Sequence, residues 1–403
     1  MPGALNGVKV IELGIWVAAP AAAAILADWG AEVIKIEEPE SGDPLRGLGA
    51  TGLVPIDLAA NPAFTLDNRG KKGMALNLHR RGAIKVLKDL VAQADVFLSN
   101  LRTAALQRLG LTYAQLQEVN PRLIYAGCTG YGVEGPDRDR AAFDYAAFWA
   151  RAGVMAALGE PGQPPPTQRP GMGDHTTALA IAGAIAAALF AREKTGRGQE
   201  IRLSLLRTGI WFQGTDVQVC LETRQDTPPR GRRNAPNPLF TAYQTKDGRW
   251  LHLVMLQPDR HWPDFCRAIG HEEFILDHRF ITVRERMENA ATLVAMLDSL
   301  MASKTLDEWG AIFDRHGVFW GKVQSVGEVV RDVQARASGA FRKVKLGSGE
   351  EIEVVASPAD FTDTPAEVRG PAPELGQHTE EILLSLGYSW EEIAALKDTG
   401  TIG

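Results

Sequence analysis

The 403-residue chain is 45% hydrophobic and 23% charged with a net charge of −6, a balance that allows two folded cores and offers no basic excess for nucleic acid. Cys128, Cys220 and Cys266 stand far apart without CxxC spacing, so neither a disulfide framework nor a zinc site is expected, and a reducing compartment fits. The opening MPGALNGVKVIEL has no basic region followed by a long apolar run and no small-residue cleavage site, so a cytoplasmic protein without membrane attachment is expected.

Residues 8–13 (VKVIEL) read as a strand, Gly14 as a turn, residues 20–29 as a small-residue helix, and AEVIKIE as a second strand. This is the βαβ opening of a doubly wound sheet. The first turn, LGIWVAAP, has one glycine where the dinucleotide fingerprint needs three to bring backbone against a pyrophosphate, so NAD and FAD are not expected. The alternation continues with strands at 74–78, 96–99 and 123–126 and helices at 81–93 and 103–109. Lys and Arg residues flanking these strand ends suit phosphates, or equally a solvated surface. A Gly-rich loop at 127–140 is of a length more often functional than structural. An apolar helix is expected at 143–158, and a Pro-rich stretch at 163–170 leads to the centre of the chain.

That centre, residues 169–199, reads RPGMGDHTTALAIAGAIAAALFAREKTGRGQ. Pro and Gly should stop any helix before Gly173, with Thr176 and Thr177 capping the one that follows. Asp174 then sits just outside a helix N-terminus, either as a plain cap or as a carboxylate poised where unpaired N–H groups attract anions. The helix is rich in alanine, and its uninterrupted apolar stretch falls short of the ~20 residues that span a bilayer, so it should be buried.

Residues 225–238 (QDTPPRGRRNAPNP) form a linker whose composition cannot build a core. A small α+β domain follows. It has a hairpin of strands 239–245 and 249–255 turning on Lys246-Asp247-Gly248, then helices at 259–269, 285–301 and 305–316. A helix at 326–337 returns, a second hairpin joins 341–346 to 351–356 across Gly347-Ser348-Gly349, and a C-terminal helical pair closes the chain. The expected layout is a large domain at 1–224, a linker at 225–238, a small α+β domain at 239–325, and a return segment at 326–403 that completes the large domain.

GMGDHTT followed by an Ala-rich helix and AREKTGRGQEIRLSLL, together with GAEVIKIE, SNLRTAALQRLGL and LGQHTEEIL, resembles the class III CoA-transferases. That superfamily holds the formyl-CoA and carnitine CoA-transferases and the α-methylacyl-CoA racemases. The resemblance implies a Rossmann-like doubly wound α/β domain with a smaller α+β domain, in an interlocked homodimer. It implies acyl-CoA and carboxylic acid substrates, with neither metal nor nucleotide cofactor. It places Asp174 at the position of the family's nucleophile. By position, CoA would lie against Val17, Ala18, Leu76, Asn100, Leu101 and Arg102, with Arg108 nearby; Phe143 and Asp144 are further candidate binding residues, Asp144 either orienting water or substrate or simply starting a helix. KIE and GDPLR would belong to the same CoA site. Arg102 and Arg108 can form charge-assisted bonds with phosphates, although Arg108 can also simply solvate its helix.

Departures narrow the chemistry. Val17 stands where formyl-CoA transferase has a Gln, and the tetraglycine loop of that enzyme has no counterpart, so formyl and oxalyl substrates are not expected. Phe143 stands where racemase relatives have a His. Val17, Phe143, Trp149, Phe319 and Trp320 instead point to a larger, less polar acyl pocket. The transferase chemistry implied is attack by Asp174 on a thioester, giving a mixed anhydride and then an aspartyl-CoA thioester. Two alternatives stand beside it. One is a racemase or isomerase using Asp174 as acid/base, with adjacent His175 pointing about 100° away around the helix. The other is a catalytically silent CoA-binding protein.

Overall fold

A computed structural model of the chain describes residues 2–51, 61–229, 231–346 and 348–403. The chain forms two compact units, one from Met1–Val154, Thr167–Glu222 and Arg336–Gly403, the other from Met155–Pro166 and Thr223–Ala335. In the first, the elements run β1 (Lys9–Leu13), α1 (Ala18–Asp28), β2 (Glu32–Glu37), α2 (Pro62–Asn68), β3 (Lys72–Ala75), α3 (Arg81–Ala92), β4 (Val96–Ser99) and α4 (Thr103–Leu109). They continue with α5 (Tyr113–Val119), β5 (Ile124–Thr129), then α6 (Val154–Leu158), whose residues from Met155 on belong to the second unit, and, back in the first, α7 (Met172–Thr195), β6 (Gln199–Ser204), α8 (Leu205–Phe212) and α9 (Gly214–Thr223). The six strands make one sheet in the order β3-β2-β1-β4-β5-β6, every neighbouring pair parallel. This is the doubly wound order, with its switch point between β1 and β4.

Period-two alternation assigns the strands' two faces. Ile11, Ile34, Met74, Phe97 and Tyr125 enter one core with Val86, Leu87 and Leu90 of α3. Val10, Val33, Val96, Ile124 and Ala126 enter the other with α1 and with Ala178, Ile181, Ala182 and Ile185 of α7. By length and composition α7 could cross a membrane. Here one face is buried against the alanines of α1, where small side chains let the helices approach closely. The C-terminal segment covers the edge strand β3. His378 Nδ1 accepts from the Gly73 N–H at 3.1 Å and Thr379 Oγ1 from the Ala75 N–H at 3.0 Å. The LGQHTEEIL motif thus protects backbone groups that an open edge would expose.

In the second unit, strands Ala242–Gln244, Trp250–Leu253 and Trp320–Lys322 form an antiparallel sheet. Its core joins Tyr243, Leu251, Trp262, Phe265, Leu297, Trp309 and Phe313.

Three expected helices are broken. Residues 143–158 hold a π-helix at Tyr145–Arg151 and the separate α6, divided at Gly153 with φ +89°. Residues 285–301 are divided at Asn289, which ends Val283–Glu288 by donating its amide to the Glu285 carbonyl at 3.0 Å. Residues 326–337 are divided into Val326–Val329 and Val333–Ala337, with the Asp332 carboxylate accepting from the Ala335 N–H.

Candidate active site

The helix α7 starts at Met172, ahead of Asp174 rather than after it as its sequence signals indicate. Gly171, at φ +75°, is the N-cap, so Asp174 is inside the first turn rather than ahead of it. The threonines do not cap. Thr176 and Thr177 donate their hydroxyls back to the carbonyls of Met172 and Gly173, each at 2.9 Å. The helix start is satisfied from elsewhere: Asp144 Oδ2 accepts from the Gly173 N–H at 3.0 Å. Glycine is required at 173, because a Cβ there would lie 2.8 Å from Phe148 Cγ and 3.0 Å from Asp144 Cβ. Absence of a side chain therefore lets the π-helix press against the turn that carries Asp174. Such π segments recur at functional sites.

The electrostatics are unusual for an aspartate. Burial, then the nearby Asp144 charge, raise the Asp174 carboxyl to about 7; His175 opposes this and Asp67 adds to it. Asp144, only 2% exposed, is itself raised by burial, partly offset by its backbone hydrogen bonds. His175 points elsewhere. Its Nε2 lies 2.9 Å from Asp67 Oδ1, and it lines a separate cavity of about 330 Å³ with Ala21, Ile25, Leu66 and Leu179. Burial alone would lower the His175 pKa, but the Asp67 hydrogen bond and charge outweigh it and raise it. The Asp174 charge also helps burial keep the Cys128 thiol up at about 12, which places the aspartate near the C-terminal end of β5.

The turn between β1 and α1 comes up beside α7. Val17 Cγ1 lies 3.5 Å from the position a Cβ would take on Gly171. Before it, Trp16 has φ +63°, a left-handed conformation that costs a non-glycine residue roughly 1–2 kcal/mol. Two side chains hold this turn. Asn100 clasps Ile15, accepting its N–H at 2.9 Å and donating to its carbonyl at 2.7 Å. Asp43 Oδ1 accepts the Trp16 N–H at 2.9 Å. Asp43 Oδ2 is bound by Lys35 at 2.8 Å, and Glu12 is shared between Lys35 at 3.0 Å and Lys71 at 2.6 Å. These four side chains are fully buried.

Between the C-terminal ends of β1, β2, β3 and β4 lies a crevice of about 210 Å³, lined by Gly14, Ile15, Leu76, His79, Leu101 and Leu109. This is the ligand position of doubly wound folds. Among the residues expected to meet CoA, Leu76 and Leu101 line this crevice, whereas Val17 is the N-cap and buried Ala18 the first residue of α1. Asn100 has both ends of its amide committed to Ile15. Arg102 and Arg108 are exposed and make no ion pair among the described residues. Of the other basic residues around the strand ends, Arg80 and Arg81 are exposed, whereas three are already engaged. Lys71 is buried on Glu12, Arg69 binds Asp28 at 2.6 Å, and Lys72 binds Glu381 at 2.8 Å. The charges of KIE and GDPLR likewise pair with each other: Lys35 with Asp43, and Glu37 with Arg46 at 2.8 Å.

Phe143 is 57% exposed and meets Trp16 edge-on, ring centroids 5.6 Å apart. Trp149 is buried against Phe148 and Phe212 instead of facing a pocket. Phe319, in the second unit, is exposed and edge-on to His261 at 5.0 Å, and Trp320 packs against Phe313. Sequence reasoning missed Trp16, Asp43, Asp67 and His79. GDPLR carried a usable sign of Asp43, but a left-handed tryptophan has none.

The chain matches the model for CoA-transferase family III over residues 5–379. It is 37% identical to (R)-2-hydroxy-4-methylpentanoate CoA-transferase of Clostridioides difficile, covering 99% of both chains. It is 36% identical to cinnamoyl-CoA:phenyllactate CoA-transferase of Clostridium sporogenes, over 97% of this chain and 95% of the relative. Among solved structures it resembles a CAIB/BAIF family protein from Brucella suis, with TM-score 0.84 and 29% identity over 96% of this chain and 100% of that one. A family match over nearly the whole length, carried by the same sheet and helix order that positions Asp174, makes this chain a member of CoA-transferase family III.

Proposed function

We propose that the chain moves CoA from an acyl-CoA to a free carboxylic acid through covalent intermediates on Asp174. The observation that carries this is a half-buried carboxylate in the first turn of α7, raised to about 7 by burial and by Asp144 against the opposing His175, and making no ion pair among the described residues. Such a group, once ionised, is a stronger nucleophile than an ordinary aspartate. An Asp174 oxygen attacks the thioester carbonyl, the C–S bond breaks, and a mixed anhydride and CoA thiolate result. The thiolate attacks the Asp174 carboxyl carbon and expels the donor acid, leaving an aspartyl-CoA thioester. The acceptor carboxylate then displaces CoA to form a second anhydride. Attack of the thiolate on its acyl carbon yields the new acyl-CoA and free Asp174. Each step exchanges one activated acyl group for another, so no ATP is required. N–H groups of the α7 first turn suit the oxyanions, each such donor typically contributing about 3 kcal/mol.

Arg102 and Arg108, free of ion pairs among the described residues, suit the CoA phosphates. Leu76 and Leu101 suit the apolar length of the pantetheine arm. The names of the two Clostridial relatives support acids with branched or aryl tails. A homodimer is supported by the apolar surface of α7–α9. Phe190, Trp211 and Leu221 are 64%, 84% and 58% exposed, and α9 buries no residue within this chain. So large an exposed apolar area calls for a partner.

The test is incubation with acyl-CoAs, trapping by hydroxylamine and peptide mass spectrometry. A hydroxamate on the Asp174 peptide, lost in Asp174→Ala, is the expected result. Turnover without any adduct would overturn the mechanism. A carboxyl titrating near 7 is also a competent proton carrier, which favours acid/base chemistry as the second reading. Deuterium entering the acyl α-carbon from heavy water, without CoA transfer, would select it.

A further inference from the structure

Glycine adopts left-handed backbone without strain, yet Trp16, the residue just before Val17, holds φ +63° with a large aromatic side chain. Strain of this kind persists where surrounding structure fixes it, and it concentrates at functional sites. The fixing group here is Asp43, which takes the Trp16 N–H at 2.9 Å and is itself locked by Lys35 at 2.8 Å. Behind them Glu12 and Lys71 complete a buried set of two anions and two cations.

The indole base packs near Leu45 and Phe64, while its ring meets Phe143 edge-on at 5.6 Å and 84°. Phe143 directly precedes Asp144, the carboxylate bound to the turn that bears Asp174. On the other side, Val17 approaches Gly171, the N-cap of the same turn. A charge cluster that never reaches solvent therefore holds the backbone of Trp16, and its ring meets the mostly exposed Phe143, whose neighbour Asp144 is bound to the start of α7.

We propose that Trp16 and Phe143 form one wall of the acyl subsite beside Asp174, selecting flat or branched apolar acyl groups over short ones, with Asp43 as the residue that positions Trp16. The assignment rests on the CoA-transfer reading above. An apolar wall distinguishes a single methylene group by roughly 10- to 200-fold, and an aryl or isobutyl tail offers several carbons to it. A wall carried on a backbone that is clamped from behind keeps its shape when the tail is absent, so this discrimination does not depend on the substrate ordering the loop.

The experiment compares kcat/KM for phenylpropionyl-CoA and 4-methylpentanoyl-CoA with that for acetyl-CoA, while recording the trapped Asp174 adduct. Wild type should prefer the two larger donors. Trp16→Gly, which suits the observed backbone, and Phe143→Ala should each lower that preference by about tenfold or more. Asp43→Asn combined with Lys35→Met leaves no buried charge without a partner from this pair, and should lower the preference in the same direction. Equal losses on all three donors in Trp16→Gly and Phe143→Ala, or no loss, would overturn the wall. If either fails to fold by circular dichroism, Trp16→Leu and Phe143→Leu decide the ratio in its place. Turnover without a trapped adduct in wild type would instead sink the covalent transfer reading, and the donor ratio would still judge the wall.

Discussion

Two groups of buried carboxylates lie at the C-terminal side of the same sheet, and they are built in opposite ways. Glu12 and Asp43 are matched by Lys35 and Lys71, with every contact between 2.6 and 3.0 Å. Asp144 and Asp174 share their neighbourhood with each other and with Asp67, and neither makes an ion pair among the described residues. In the first group, burial works against the Lys35 charge but Glu12 and Asp43 overcome it, so its pKa rises. Lys71 is lowered to about 8, because burial and the adjacent Lys35 charge outweigh its own bond to Glu12. In the second group burial and like charge act together and push Asp174 up to about 7. Full pairing makes an anchor that holds a strained turn; missing pairing makes a carboxylate that can react.

Breaking the reactive group should have the largest effect. Asp174→Asn is expected to reduce CoA transfer about a thousandfold or more, measured as kcat/KM, since it removes the carboxylate proposed to take the acyl group. The same variant reports on stability. Between the ordinary aspartate value and about 7, the folded chain keeps a proton that the unfolded chain has lost. Wild-type stability therefore falls as pH rises through that window and levels off above it. The melting temperature of Asp174→Asn relative to wild type should accordingly widen in its favour from about pH 5 to about pH 8. A constant gap would contradict the raised pKa.

Breaking the anchor should act on folding first. Glu12→Gln leaves Lys35 and Lys71 without their shared anion, and the expected destabilisation in urea is about 3–5 kcal/mol. A change under about 1 kcal/mol would mean that the cluster is not the brace described here.

Smaller effects sharpen the contrast. Asp144→Asn keeps an oxygen acceptor for the Gly173 N–H but removes the charge beside Asp174. The midpoint of adduct formation against pH should move down from about 7, by less than about one unit because burial remains the leading cause. The smallest change is expected for Asp67→Asn. His175 should then titrate lower in a proton NMR series, as its main support is gone, with transfer activity nearly unaltered.

Much of the first unit could be read from local pattern. Strand 96–99 and helix 103–109 are found with the expected bounds, because alternation and a start at Thr103 are local signals. Both expected hairpins pair their strands, Gly347 of the second turn lying outside the described residues. The start of α7 differs from its local signals because the Gly173 N–H is satisfied by Asp144, 29 residues away, and no local rule weighs such a partner. The break at Gly153 was missed for a similar reason. Phe148 and Trp149 have the apolar spacing of an ordinary helix, while the close approach to Gly173 favours a π turn. Trp149 was assigned to a pocket by its chemistry alone, yet it belongs to a packed aromatic group.

By itself the sequence determined the doubly wound alternation, the family, and the position of its aspartate, because periodicity and short motifs are written in neighbouring residues. Tertiary structure decided which charges are silent and which are exposed to reaction. Lys35, Lys71, Asp43 and Asp174 all read as polar residues near strand or helix ends. Only folding pairs the first three across β1, β2 and the loop before β3, and leaves the fourth beside another carboxylate. Coulomb energy depends on separation in space and on the surrounding dielectric, and a linear chain specifies neither until its cores have closed.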